Sequence, residues 1–328
     1  MPAAPSTPAR PAEGARDRWA WVSWRSGWVL AGIAVLTAAL MALHRKVPNS
    51  PGNLGSLLET FLPWLGVMIP VLAIGAVVRR SAPAALALVL PLVVWVGMFG
   101  NAVLPGKGGG SHDLRVVSHN VDAGNADHDG TVQELLAADA DVVALEELDE
   151  DAKSAYQGGL DEDFEHNVTR GTVGLWSRFP ISDAEDIDVG FGWTRAMRAK
   201  VKTPEGEVAV YVAHLASVRV GSEGFTADQR NRTIKLLGAQ IAADPVKRVV
   251  LLGDLNGTVN DRSLAPITAG MRSAQGAAGH GFGFSWPARF PMARIDHILV
   301  RGVEPADAWV LPRTGSDHRP VAADLRLD

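Results

Sequence analysis

Val249-Val250-Leu251-Leu252-Gly253-Asp254-Leu255-Asn256 is an unbroken apolar run that stops at a glycine and then releases a carboxylate and an amide two residues apart. The run shows no alternation of apolar and polar residues, so it reads as a strand covered on both faces. A strand that ends in this way delivers its polar residues to a sheet edge. The same construction recurs along residues 115–321. Apolar runs are followed or preceded by Ser118-His119-Asn120, Glu146-Glu147, Ala213-His214-Leu215, Arg294-Ile295-Asp296-His297 and Ser316-Asp317-His318. Together these supply an oxygen-rich cation site and two imidazoles, the parts needed to attack a phosphorus centre.

Around these runs the chain reads as an α/β domain. Strands are expected at Leu114–Val117, Val142–Leu145, Val173–Leu175, Ala196–Val201, Val208–Ala213, Val249–Leu252, Ile295–Val300 and Val321–Leu327. Helices are expected at Thr131–Ala138 and at Thr226–Ala243, where Ile234, Leu237 and Ile241 fall near helical spacing. Two sheets packed face to face with helices outside fit this inventory. Between residues 111 and 328 there are 22 Lys/Arg and 33 Asp/Glu, a net charge of −11 with histidine neutral. Nucleic-acid binders draw most of their affinity from a basic face, so this balance makes nucleic acid an unfavoured partner.

The first third of the chain is different in kind. Three apolar stretches, Gly27–Leu43, Phe61–Val78 and Ala82–Phe99, contain no Asp, Glu, Lys or Arg and approach the length that crosses a hydrocarbon layer of roughly 30 Å. A signal peptide followed by buried helices fits less well, since three stretches recur and no small-residue cleavage site follows the first. Six of the ten Trp lie in this region. Arg10, Arg16, Arg18 and Arg25 precede the first stretch and Arg79 and Arg80 follow the second, against Arg45, Lys46 and Lys107 on the opposite side. The positive charge places the N-terminus in the cytoplasm, and an odd number of spans places the rest outside. The expected organisation is a cytoplasmic tail over 1–26, three transmembrane helices over 27–100, a Gly-rich linker over 101–112 and an extracytoplasmic domain over 113–328, in a multi-pass protein of the cell membrane.

The motif series resembles the endonuclease/exonuclease/phosphatase superfamily, over nearly all of residues 113–328. The resemblance implies a DNase I-like four-layer α/β sandwich and hydrolysis dependent on Mg, with Mn as a possible substitute. Carried over residue by residue, Asn120 and Glu147 resemble the N-terminal metal pair, and Asp317 a further metal-linked acid. His214 resembles the phosphate-binding histidine, and Asp254 with Asn256 the pair that positions water and phosphate. Asp296 and His318 resemble the catalytic histidine and its orienting carboxylate. Glu146 stands where Gln is common, Ala213 replaces a frequent Thr or Asn, and no acidic partner for His214 is visible.

Arg195 and Arg198 read as a clamp for an anionic group or as exposed strand residues. The loop Gly279–Met292, with Phe282, Phe284, Trp286, Phe290 and Met292, reads as a lipid-contacting edge or as cover for the core. His119, His128, His166, His280 and His297 read as loop or supporting residues. The anchored arrangement resembles a VanJ-like membrane branch associated with teicoplanin resistance, which implies a lipid-linked phosphate such as undecaprenyl diphosphate as substrate. An extracellular nuclease, a phospholipase C of the sphingomyelinase type and a catalytically dead binding protein are the competing expectations.

Overall fold

The computed structural model describes residues 23–103, 108–222 and 224–327. Most of the expected tail and part of the expected linker lie outside the described residues. Two compact units emerge. One is formed by residues up to Leu43 together with Pro63–Met98, the other by His44–Leu62 together with Phe99–Asp328.

In the first unit, α1 (Trp28–Ala42) is followed, beyond a short α2 (Leu54–Thr60) that belongs to the second unit, by α3 (Met68–Val78), α4 (Ala82–Ala87) and the start of α5 (Val89–Val103). Helices α1, α3 and α4 pack on one another. The expectation of three spans is corrected here. Among the described residues, one helical stretch, Ala82–Val103, is long and apolar enough to cross a membrane. Helix α1 has 15 residues and rises only about 22 Å at 1.5 Å per residue. The second expected span opens with a 3-10 turn, Leu62–Val67, that holds Pro63 and Gly66, and passes the length test only jointly with α2 across a break.

The second unit holds two six-stranded sheets. In chain order the strands are β1 (Leu114–Asn120), β2 (Val142–Glu146), β3 (His166–Arg170), β4 (Val173–Ser177), β5 (Ile181–Asp186), β6 (Ala196–Thr203), β7 (Gly206–Ala213), a two-residue pair β8 (Val220–Gly221) and β9 (Gly224–Phe225), β10 (Val249–Asp254), β11 (Arg272–Ser273), β12 (Asp296–Arg301), β13 (Glu304–Val310) and β14 (Val321–Arg326). The first sheet runs β13-β14-β1-β2-β4-β3 and the second β11-β12-β10-β7-β6-β5. Val116, Ala144, Leu175, Val210, Leu252 and Ala323 share one buried cluster between the sheets. Helices α6 (His128–Ala137) and α7 (Glu150–Leu160) cover the first sheet through Leu135, Tyr156 and Leu160, and α8 (Asp228–Ala243) covers the second through Ile234, Leu237 and Ile241. That stacking gives four layers, as expected from the apolar runs.

Strand direction decides where the site lies. Strands β1 and β2 are parallel, as are β7 and β10, so their C-terminal ends share an edge. Strands β12 and β14 run antiparallel to β10 and β1, and they begin at that same edge. Gly253, at φ 145°, lies so close to the Ala213 carbonyl that a side chain would collide with it, which lets β10 and β7 stay paired to their ends.

The expectation that Arg198 binds substrate is also corrected. Arg198 is buried, and its guanidinium donates to both Asp244 oxygens at 2.6 and 3.1 Å. Asp244, just past α8, also accepts from Tyr211 Oη at 2.7 Å. Residues three apart on a strand face opposite ways, so Arg195 and Arg198 cannot form one clamp. Arg198 instead ties the end of α8 to β6 and β7. Arg198→Ala should lower the unfolding free energy by about 3 kcal/mol, because Asp244 is left buried without its partner, while kcat/KM is retained. A urea titration run beside a hydrolysis assay checks both.

Candidate active site

Each motif residue sits at the edge that the strand directions converge on. Asn120 ends β1, Glu147 follows β2, His214 follows β7 and Asp254 ends β10, while Asp296 opens β12 and His318 precedes β14. Glu147 and Asn256 adopt φ values of 61° and 48°, in the left-handed region that non-glycine residues seldom occupy. These turns aim their side chains back across the strand ends, a strain that clusters at functional positions.

The first group gathers the Glu147 and Asp254 carboxylates around the Asn120 amide N–H2. Asn120 Nδ2 donates to Glu147 Oε1 at 3.1 Å and to Asp254 Oδ2 at 3.2 Å. Asp254 also accepts from the backbone N–H of Asn256 at 2.8 Å and from its Nδ2 at 2.9 Å. Burial pushes the Asp254 carboxyl up to about 7, with His318 acting against the shift and Asp296 adding to it. The Glu147 and Asp254 carboxylates suit a hard divalent cation, which takes oxygen ligands and fills the rest of its shell with water, whereas Asn120 shows them its N–H2 and its Oδ1 accepts from the Asp122 N–H at 3.0 Å. The carboxylates therefore fit the expected metal.

The second group is a histidine held by a carboxylate. His318 Nδ1 donates to Asp296 at 3.0 and 2.9 Å, leaving Nε2 3.9 Å from Asp254 and 3.7 Å from Asp317. Burial lowers the His318 pKa, but Asp296, Asp254 and Asp317 outweigh it and raise it to about 10. Burial alone would raise Asp296; the facing His318 charge and its hydrogen bond hold it below the ordinary carboxylate range. Asp254, Asp296 and His318 lie close enough to chelate an ion. However, Asp296 and the Nδ1 atom satisfy each other, which makes them a proton-holding pair.

His214 finds the acidic partner that the sequence did not disclose. Its Nε2 lies 3.3 Å from Glu147 and 3.8 Å from Asp254. Arg195 Nη2 lies 2.7 Å from the ring nitrogens, and its Nε donates to the His214 carbonyl at 3.1 Å. A guanidinium only donates, so the ring offers it a lone pair and carries its proton on the other nitrogen. Burial first, then Arg195 and His318, hold His214 well below its usual pKa. Arg195 thus stays in the site, as a clamp on a neutral imidazole rather than on substrate.

Asp317 lines the same pocket as Glu147 and Asp254. It accepts from Trp286 Nε1 at 3.2 Å and lies 3.7 Å from His318 Nε2. Glu146 is buried, accepts from Ser118 Oγ at 3.0 Å, and is raised well above its normal pKa by burial and then by Asp296. A protonated carboxyl has the polarity of the Gln common at this position. His119 hydrogen bonds Thr314 at 3.0 Å and His297 donates to the Gly257 carbonyl at 2.8 Å. Burial lowers them to about 3 and about 4, so both are neutral supports. Phe282 and Phe284 stack with ring centroids 5.1 Å apart, leaving Trp286 as the aromatic of that loop in the pocket.

The pocket has a volume of about 540 Å³. Asp122, Glu147, Asp254, Asn256, Asp317, His318 and Arg219 are among its polar lining, and Phe61, Val218, Val220, Phe225, Trp286 and Ile295 its apolar lining. With fold and site in hand, the chain compares with known proteins as follows. Residues 117–318 match the Endonuclease/Exonuclease/phosphatase family, and the chain belongs to that family. An endonuclease/exonuclease/phosphatase from Bacteroides vulgatus is similar in structure (TM-score 0.56, 18% identity, 66% of this chain and 100% of that one). A mannosyl-6-phosphatase from Bacteroides thetaiotaomicron (TM-score 0.54, 17% identity, 65% and 99% covered) and D. rerio TDP2 complexed with single strand DNA product (TM-score 0.55, 18% identity, 65% and 98%) share the fold. No curated protein matches the sequence. The protein is a hydrolase of this superfamily, consistent with dependence on a divalent metal.

The histidine charge sets a pH dependence. Protonated His318 is the species below its pKa, so activity should fall as pH rises through about 10. Its pairing energy is complete below the unfolded value near 6.5 and is lost over the same rise. In Asp296→Asn the alkaline limb of kcat/KM should move to lower pH. An unmoved limb would assign it to another group.

Proposed function

We propose that this protein is a Mg-dependent phosphoester and phosphoanhydride hydrolase acting on a lipid-linked phosphate at a membrane surface, undecaprenyl diphosphate being the leading substrate. One observation carries the reading: the pocket that holds the Asp254, His318 and Glu147 side chains is lined as well by a wall of apolar residues, Phe61, Val218, Val220, Phe225, Trp286 and Ile295. A hydrolytic centre for compact soluble phosphates has no use for such a wall, whereas an esterified hydrocarbon chain gains by burial against it.

Glu147, with Asn120 and Asp317 nearby, would hold Mg, with Mn as a substitute. When bound, the ion supplies charge neutralisation at the phosphate and lowers the pKa of water. The chain's own groups do the rest. Asp254, steadied by Asn256, takes a proton from the attacking water. His318, fixed by Asp296, turns a protonated Nε2 to the pocket, where it donates to phosphate oxygen. His214, neutral and oriented by Arg195, presents its Nε2–H beside Glu147. Asp317 and Trp286 form a rim that substrate passes.

The membrane part of the reading draws on the N-terminal unit. The stretch Ala82–Val103 is apolar throughout, and Val29, Ile74, Val77 and Val78 of α1 and α3 are left exposed, which water penalises and lipid does not. Helix α2 belongs to the catalytic unit, so residues between the first two apolar stretches share its compartment. The positive charge before the first apolar stretch is the ground for a cytoplasmic N-terminus and a catalytic domain outside. A role in glycopeptide resistance follows if the substrate is the carrier lipid of the cell wall.

Full-length protein in detergent should release inorganic phosphate from undecaprenyl diphosphate with Mg and stop when the ion is chelated. Asp254→Ala and His318→Ala should each slow turnover roughly a hundredfold or more with circular dichroism unchanged. Absence of release from folded protein would remove the substrate, and nicking of plasmid DNA would point to the nuclease alternative.

A further inference from the structure

Glu59 is fully buried, yet it lies in α2, over fifty residues before the first strand of the domain that buries it. It is held by the Nε of Arg262 at 3.0 and 3.1 Å, by the Arg262 backbone N–H at 3.0 Å and by His44 Nδ1 at 3.0 Å. Its own carbonyl accepts from Thr258 Oγ1 at 3.2 Å. One turn earlier, buried Ser56 donates to Asp261 at 3.2 Å. Asp261 pairs with Arg230 at 2.6 Å, both fully buried, and Arg230 donates to the carbonyl of Asn256 at 2.9 Å. Further back, Gly52 and Asn53 bond both backbone groups of Phe225, at 2.9 and 2.8 Å, which fastens the β8–β9 pair.

This arm therefore braces two separate pocket-forming segments, the β8–β9 pair and the loop after Asn256. Buried charges are tolerated only when paired in this way, so the arm has one docked position. At its end, Thr60 and Phe61 enter the lining of the catalytic pocket, on the side of Val220, Phe225 and Trp286. We propose that the arm of residues 52–61 is a working wall of the active site and that Phe61 is its specificity-determining residue. It favours phosphates that carry an apolar substituent over compact ones. The inference rests on the hydrolase reading above, and adds which residue selects the substituent.

The test compares octyl diphosphate with methyl diphosphate, a pair that differs only in chain length, on full-length protein in amphipol. Wild type should prefer the octyl compound. Phe61→Ala should reduce the octyl-to-methyl ratio of kcat/KM about tenfold, as expected for a few methylenes losing their cover, and Phe61→Leu should restore most of it. Val220 also lines the pocket and is 70% exposed, so Val220→Ser, which does not endanger folding, should reduce the ratio in the same direction. An unchanged ratio in Phe61→Ala and Val220→Ser overturns the proposal. Calorimetric binding of the two diphosphates separates this proposal from the hydrolase reading. Octyl-selective binding that Phe61→Ala abolishes, without phosphate release, would overturn the hydrolase reading and keep the wall. Release with an unaltered ratio would do the reverse.

Discussion

Two carboxylates face one another across a single rung of an antiparallel ladder. The register of β10 with β12 sets Asp254 opposite Asp296, on one face of the sheet and at side-chain contact range, and both are buried. Like charges in that position repel strongly, and burial removes the water that would screen them. The structure resolves the conflict by inserting His318 between them. It bonds Asp296 directly and faces Asp254 at 3.9 Å. The cation keeps Asp296 ionised, while Asp254 is left at about 7, near the poise suited to exchanging a proton at neutral pH. The whole constellation follows from that placement. Shifting either strand by one residue would turn its aspartate to the opposite face.

The neighbouring imidazoles show how environment separates identical side chains. His318 faces three carboxylates and is cationic, His214 faces a guanidinium and is neutral, and His119 and His297 are kept neutral by burial. Four histidines at one sheet edge thus supply one charge. Glu146 is a fifth case of the same logic, an acid made neutral by its surroundings.

Much of this was legible in the sequence because the site residues end or open buried strands, and buried strands announce themselves as unbroken apolar runs. Of the longer strands that went unread, β3 and β5 have no fully buried position and β13 has three. Helix α7 went unread: Asp149, Glu150 and Asp151 are its cap and first turn, where acids favour the dipole. Arg198 misled because proximity along a strand says nothing about face. The partner of His214 and the arm around Glu59 left no local signal. Both depend on pairings between residues brought together only by the tertiary fold, Glu147 with His214 and Ser56 with Asp261.

The first sheet has a further property in its connectivity. Strand β1 pairs with β14, Leu114 opposite Leu325, and Ser316 Oγ closes the edge by donating to the Asn120 carbonyl at 2.7 Å. The earliest strand of the domain thus waits for the latest before its ladder is filled. Long-range closures of this kind are slow and leave apolar edges open in the interval. During synthesis the half-built sheet is exposed to mispairing for about two hundred residues of elongation, on the order of 10–40 s at common translation rates. Hydrolytic competence arrives with the last loop. A chain interrupted before residue 316 carries Asp254 and Asp296 without the histidine that stands between them.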